Sequence, residues 1–262
     1  MKKQLNVLVL GIAAMFGVAA CGGGSSSGPS RVETAKVGNV TSTRLGGNYT
    51  LDGDYMVAAV EKLTNSANFS KSGKVKTAIT IDSVAPKVGD LTPAVLAGLD
   101  VFFIGWHTEA GNVLDSAEMA ALTDWVNAGG ILIATCDDSI HDAVCDSFGY
   151  PVSNTVAGPT VPSAVGATHK LFKGGAFGDV SSVEMRGNIG YFAAPAGAKV
   201  LGQDQATGNA TILERDYGAG TVIFLSDVDM LTTYGAVTPG PDINNDNDRF
   251  LGNLFEYATG LI

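Results

Sequence analysis

Positive charge is scarce in this chain: 16 Lys and Arg stand against 26 Asp and Glu in 262 residues. The basic residues form no stripe that would track a phosphate backbone, so no nucleic-acid partner is expected. Two of the lysines, Lys2 and Lys3, sit at the extreme N-terminus, and without them the net charge falls from -10 to -12. Histidine and cysteine are equally thin, with 3 of each. There is no CxxC pair, no HExxH, no GxSxG outside the Gly/Ser run at 22–28 and no glycine-rich phosphate loop with a lysine. Those absences count against most familiar cofactor and hydrolase classes. No repeat of fixed period is visible.

The chain opens MKKQLNVLVLGIAAMFGVAACGGGSSSGPS. A basic start, an apolar run from Leu5 to Ala20 and small residues before Cys21 describe a cleaved secretory signal. The run falls short of the ~20 residues of a bilayer-crossing helix. The tetrapeptide VAAC resembles the bacterial lipobox, which implies a lipidated Cys21 as the first mature residue, followed by a flexible Gly/Ser tether. Gly22 rather than aspartate in the second mature position implies, by resemblance to Gram-negative lipoproteins, sorting to the outer membrane. The expected division is a signal peptide with lipidated cysteine over 1–21, a tether over 22–31 and a folded domain over 32–262. The protein is then expected in the bacterial cell envelope, its membrane partner reached through the anchor.

Four apolar runs, at 74–82, 100–107, 130–136 and 221–227, show little in/out alternation. That pattern fits strands covered on both faces, hence a mostly parallel sheet. Between two of them lies LDSAEMAALTDWVNAGG, where Asp115 and Glu118 have capping-box spacing and Leu114 with Met119 can form a staple. Ala117, Ala121, Leu122, Trp125 and Val126 share one face of this helix, and Gly129 closes it. Further helices are expected over 54–63, 142–148 and 246–259. Helices between buried strands predict a doubly wound α/β domain. The stretch 150–215, rich in Gly, Pro, Ala and Thr, predicts a β-rich edge, with DYGAG joining ATILERDY to the last strand as a hairpin.

The segments DVFFIGWH, WVNAGGILIATCDD, ATHKLFKG, ILERDYGAGTVIFLSD and NNDNDRFLGNLFEYATG together resemble the class I glutamine amidotransferase-like superfamily. The likeness is strongest to a divergent branch of bacterial surface and secreted proteins, and it spans about 51–260. It implies a flavodoxin-like fold with a first strand near 36–43. Catalytic members place a nucleophilic cysteine on a glycine-flanked elbow after the strand matching ILIAT, where Cys136 falls. Here the flanking residues are Thr135 and Asp137, and Ser226-Asp227-Val228 stands where the family's His-x-Glu pair should follow the last strand. The resemblance therefore implies the fold without the catalytic base.

Cys136 has two further readings beside that of nucleophile. With Cys21 lipidated, Cys136 and Cys145 are an even pair in an oxidising compartment, able to bridge or to remain as two buried thiols. A helix starting directly after Cys136 would put the two Cα atoms ~13 Å apart, beyond the ~7 Å limit of a disulfide; a loop there would allow the bridge. As a nucleophile Cys136 would need a base such as His107, and Asp137 and Asp138 beside it would oppose a thiolate. His141 and His169 are the other histidines.

In a doubly wound sheet ligands bind outside the carboxyl ends of the strands. Those ends carry His107, Asp137, Asp138, Asp227 and Asp229, an acidic rim for a protein, a glycan or a cation. Asp227, Asp229, Asp242 and Asp246 are candidate oxygen ligands for Ca²⁺. The 242–253 stretch is no EF-hand, because Asn247 and Asn253 replace its glycine and glutamate. Alternatively Asn245 or Asp246 caps the last helix and the other carboxylates are solvated. Trp106, Tyr191, Tyr217 and Tyr234 either line a sugar or peptide cleft or pack at core edges. Three functions follow: a non-catalytic binding or interaction module, a hydrolase, amidase or carbohydrate-related enzyme using Cys136, and a structural envelope lipoprotein.

Overall fold

Strands covered on both faces need helices above and below, and the chain supplies them in alternation. The computed structural model describes residues 33–107, 113–154, 158–187, 189–193 and 195–262. Cys21 and the boundaries near it lie outside the described residues. In chain order the first half comprises β1 (Thr34–Val40), α1 (Ser42–Leu45), α2 (Val57–Thr64), β2 (Ala78–Val84), α3 (Pro93–Leu96), β3 (Val101–Ile104), α4 (Ser116–Asn127) and β4 (Ile131–Thr135). The second half comprises α5 (Ala143–Ser147), β5 (Ser153–Asn154), β6 (Thr160–Pro162), β7 (Gly190–Tyr191), β8 (Lys199–Asp204), β9 (Ala210–Tyr217), β10 (Gly220–Leu225) and α6 (Asp246–Thr259).

One eight-stranded sheet runs β2-β1-β3-β4-β10-β9-β8-β6. Its first five strands are parallel and follow the flavodoxin-like order, with β10 as the fifth. β9, β8 and β6 extend it antiparallel, which is the expected β-rich edge. β9 and β10 form the expected hairpin, pairing Tyr217 with Gly220, and Gly218 takes a φ of +59° in the turn. β5 and β7 make a separate two-stranded sheet.

Successive residues of each central strand serve opposite layers. Val37, Val101, Phe103, Ile133, Ile223 and Leu225 share a core with Ala59 and Leu63 of α2 and with Phe250, Leu251, Leu254 and Phe255 of α6. Phe102, Ile104, Leu132, Ala134, Val222 and Phe224 share the other with Leu122 and Val126 of α4 and Val144 of α5. Burying each such side chain contributes about 1.5–3 kcal/mol.

Three boundaries differ from the sequence pattern. The apolar run at 100–107 ends its pairing at Ile104, because a Cβ on Gly105 would stand 2.0 Å from the Tyr49 carbonyl oxygen; that loop crosses there, and Trp106 and His107 lie beyond the strand. The first strand occupies Thr34–Val40 rather than 36–43, since Ser42–Leu45 turns into α1. The 74–82 run joins the main sheet only from Ala78 onward, while Val75 bridges to Phe69.

The capping box of α4 is present: Asp115 Oδ1 accepts from Glu118 N at 2.8 Å, and Glu118 Oε2 accepts from Asp115 N at 3.0 Å. Glu118, 1 % exposed, also receives Arg44 Nη1 at 2.9 Å and the backbone N–H groups of Gly89 and Leu91. Burial opposes its charge, but Arg44 and the backbone donors outweigh burial and hold its carboxyl below the usual value. Glu118→Ala should therefore cost about 3–5 kcal/mol in urea unfolding by stranding Arg44. A loss under about 1 kcal/mol would mean that this junction of α1, α4 and the 85–91 loop is not structural.

Candidate functional site: the carboxyl edge of the sheet

At the end of β4 the chain does not enter a helix. Cys136 N still donates to Leu225 O at 2.9 Å, and then Asp137 takes a φ of +51°, a left-handed conformation unusual outside glycine. The turn starts a loop, and α5 begins only at Ala143. Cys145 folds back until its Cα lies 6.0 Å from that of Cys136, and the two sulfurs are bonded. Both cysteines are fully buried. The geometry is the loop alternative and not the elbow, and a bonded Cys136 sulfur offers no thiol for His107 to activate.

The bridge closes a loop that holds Asp137, Asp138 and His141. Asp137 Oδ1 accepts from Val228 N at 3.1 Å, and Asp137 is hydrogen-bonded to Asp227. Asp227 Oδ1 and Oδ2 accept from Asp229 N and Arg186 N, each at 2.8 Å, and Asp229 Oδ1 accepts from Thr232 Oγ1 at 2.5 Å. The three carboxylates are 9 %, 0 % and 4 % exposed in chain order. Burial, with the neighbouring Asp229 and Asp138 charges and against a backbone N–H bond, pushes Asp137 up to about 7. Burial pushes Asp229 up to about 6 despite Thr232 and Arg186, and burial with the Asp137 and Asp229 charges pushes Asp227 well up.

Beside this trio, His141 Nδ1 lies 2.7 Å from Asp138 Oδ1, and the buried His107 ring stands 5.6 Å from that of His141. All five residues of the expected rim thus reach one edge of the sheet, between the ends of β3, β4 and β10. An arc of rings borders them: His141 to Trp106 at 4.6 Å, Trp106 to Tyr49 at 5.1 Å, Tyr49 to Tyr55 at 5.2 Å and Tyr55 to Tyr234 at 5.8 Å. Burial first, then the neighbouring charges of Asp229, Tyr55 and Asp137, push the Tyr49 hydroxyl far up. Tyr234, Ile140 and Val57 are strongly exposed.

Other candidates are elsewhere or differently engaged. Asp246, at the start of α6, accepts from Ser181 N, Ser181 Oγ and Arg249 Nη1, while Asp242 is an exposed loop residue. The proposed Asp227, Asp229, Asp242, Asp246 set for Ca²⁺ therefore does not assemble. Among the described residues no group of three or more His, Cys, Asp or Glu could hold a metal ion. Asn245 caps α6, accepting from Asp248 N at 2.9 Å. Of the singled-out aromatics Trp106 and Tyr234 join the arc, whereas Tyr217 packs on Phe148 and Tyr191 sits in β7. His169 pairs with the buried Glu214 at 3.1 Å. Tyr49, Tyr55 and Arg186 were not visible as site residues in the sequence, since Tyr49 and Arg186 belong to loops and Tyr55 to the helical turn Asp54–Met56, none at a strand end.

No family model matches the sequence, and no curated protein matches it. Solved structures do resemble the fold. The N-terminal domain of mmIFT52 is 10% identical with a TM-score of 0.56, covering 86% of this chain and 97% of that one. A cold-adapted β-galactosidase from Rahnella sp. R3 is 13% identical with a TM-score of 0.51, over 88% of this chain and only 31% of the enzyme. A ThuA-like protein from Bacteroides uniformis is 10% identical with a TM-score of 0.49, over 90% and 95% of the two chains. At these identities the likeness is one of fold. The strand order, with the first two of these neighbours, defines the class as an α/β protein of flavodoxin-like fold.

The raised carboxyls carry a pH signature. Their stabilising contribution is complete below the unfolded value of 3.8 and is lost as pH rises through about 6 for Asp229 and about 7 for Asp137. Asp137→Asn removes its part of that loss. The melting temperature of the variant relative to wild type should therefore climb by at least about 4 °C between pH 4.5 and pH 8. A difference independent of pH would contradict the assigned burial penalty.

Proposed function

We propose that the protein is a lipid-anchored envelope component whose domain is a non-catalytic binding module, with the carboxyl-edge rim as its binding surface. One observation carries the reading: the aromatic arc and the three buried carboxylates converge at the ligand edge of a flavodoxin-like sheet, while Cys136 is bonded to Cys145. The fold recurs as one part of a larger glycosidase chain, which is compatible with use as a module and carries no substrate with it. VAAC and the Gly/Ser tether support anchoring through Cys21, with the outer membrane as destination and a protein or glycan partner at the rim.

One feature favours a second reading. A carboxyl that holds its proton near neutral pH can act as a general acid, so carbohydrate-directed hydrolysis would run through Asp137, with the ionised Asp229 beside it, rather than through Cys136.

Two experiments test the proposal. Cys21→Ala should move the protein from the membrane pellet to the soluble fraction; persistence in the pellet would refute the anchor. A thermal-shift screen of small envelope-derived molecules should find compounds that stabilise wild type but not Tyr49→Ala. Shifts unchanged in that variant, or substrate turnover abolished by Asp137→Asn, would replace the module reading.

A further inference from the structure

We propose that the rim binds a small organic ammonium ion, held by the Asp229 carboxylate and covered by the rings of Tyr234, Tyr55 and Tyr49. The inference rests on the module reading and names its ligand class. Asp229 is only 4 % exposed, yet its Oδ2 receives no hydrogen bond among the described residues; Thr232 occupies Oδ1 alone. A Cβ placed on Gly187, whose φ is +77°, would lie 3.6 Å from Asp229 Oδ2 and 4.0 Å from Tyr234 Cε1. An anionic oxygen and an aromatic edge thus border one space that a side chain at 187 would fill. Tyr55 stacks on Tyr234, and Tyr49 continues the arc toward Trp106. The Trp106 Nε1 atom is itself buried without a partner.

The charge balance selects the ligand. Asp137, Asp138, Asp227 and Asp229 face this edge, and the basic groups near them are Arg186, an exposed residue whose charge acts on Asp229, and His141, bonded to Asp138. His107 lies against His141. Burial and mutual repulsion favour the protonated forms of Asp137 and Asp227, so the charge an ammonium group would offset is chiefly that of Asp229, and aromatic faces attract such cations. A metal dication requires several converging oxygen ligands, which the described residues do not supply. A neutral sugar would use the rings but leave the charge unbalanced.

The full chain, titrated with choline and followed by tryptophan emission, tests this, since Trp106 lies in the arc and Trp125, the only other tryptophan, is on α4. The neutral isostere 3,3-dimethylbutan-1-ol is the control for shape, and methyl β-galactoside the control for a neutral glycan. Saturable choline binding at least tenfold tighter than that of the alcohol is expected. Asp229→Asn, which keeps an acceptor for Thr232, should weaken it at least tenfold, and Tyr234→Ala, a largely exposed position, about three- to thirtyfold. Equal binding of choline and the alcohol, no choline binding, or choline binding unaffected by both variants would overturn the inference. Galactoside binding lost in Tyr234→Ala, with no choline binding, would overturn it and leave the module reading standing. No binding of any probe together with an unresponsive thermal-shift screen would remove both.

Discussion

Desolvation of negative charge at one edge of the sheet is the constraint around which the rest of this structure is arranged. A carboxylate removed from water loses several kcal/mol of hydration unless fixed donors replace the solvent. Asp137, Asp227 and Asp229 each find such donors, yet they lie side by side, so each raises the cost of ionising the next. An arrangement of this kind persists only where the surrounding fold over-determines it. Strongly perturbed carboxyls in a cleft are also a recurrent mark of functional sites.

The scaffold supplies that over-determination from three directions. Parallel pairing of β4 with β3 and β10 brings the ends of these strands to a common level, Ile104 opposite Ala134 and Thr135 opposite Leu225. The Cys136 to Cys145 bond then fixes both ends of the loop that carries Asp137, Asp138 and His141, and by limiting the unfolded chain it contributes about 2–3 kcal/mol. On the other side the turn Val228–Leu231 is capped by Asp227 itself, so the acidic residue that is hardest to bury also organises the backbone next to it. A buried Lys62, donating to Thr238 O and Gly240 O at 2.6 Å and lying 3.6 Å from Asp248, ties α2 to the segment leading into α6.

Much of this was legible in the sequence where one short segment decides the outcome. Apolar runs marked the central strands, Asp115 with Glu118 marked the start of α4, and DYGAG marked the hairpin. Once strands are placed, the residues at their ends follow, which is why His107, Asp137, Asp138, Asp227 and Asp229 could be grouped beforehand. Features that depend on distant loops could not be read. The Tyr49 backbone passes Gly105 just beyond the end of β3, and Gly187 meets Asp229 and Tyr234 only through the fold. Asp246 failed as a rim ligand for the same reason: its partners Ser181 and Ser182 lie some sixty residues away. The bridge was legible only as one of several options, because the left-handed turn at Asp137 that permits it has no glycine to announce it.

The rim carboxylates are buried and mutually repelling, and their protonation reports both properties at once. The most direct measurement is a carbon-13 NMR titration of the aspartate side-chain carboxyls in the protein with its bridge intact. Midpoints for Asp137 near 7 and Asp229 near 6 are the predicted result. Titration of both residues near the ordinary aspartate value of about 4 would show a solvated, non-interacting edge and contradict the account.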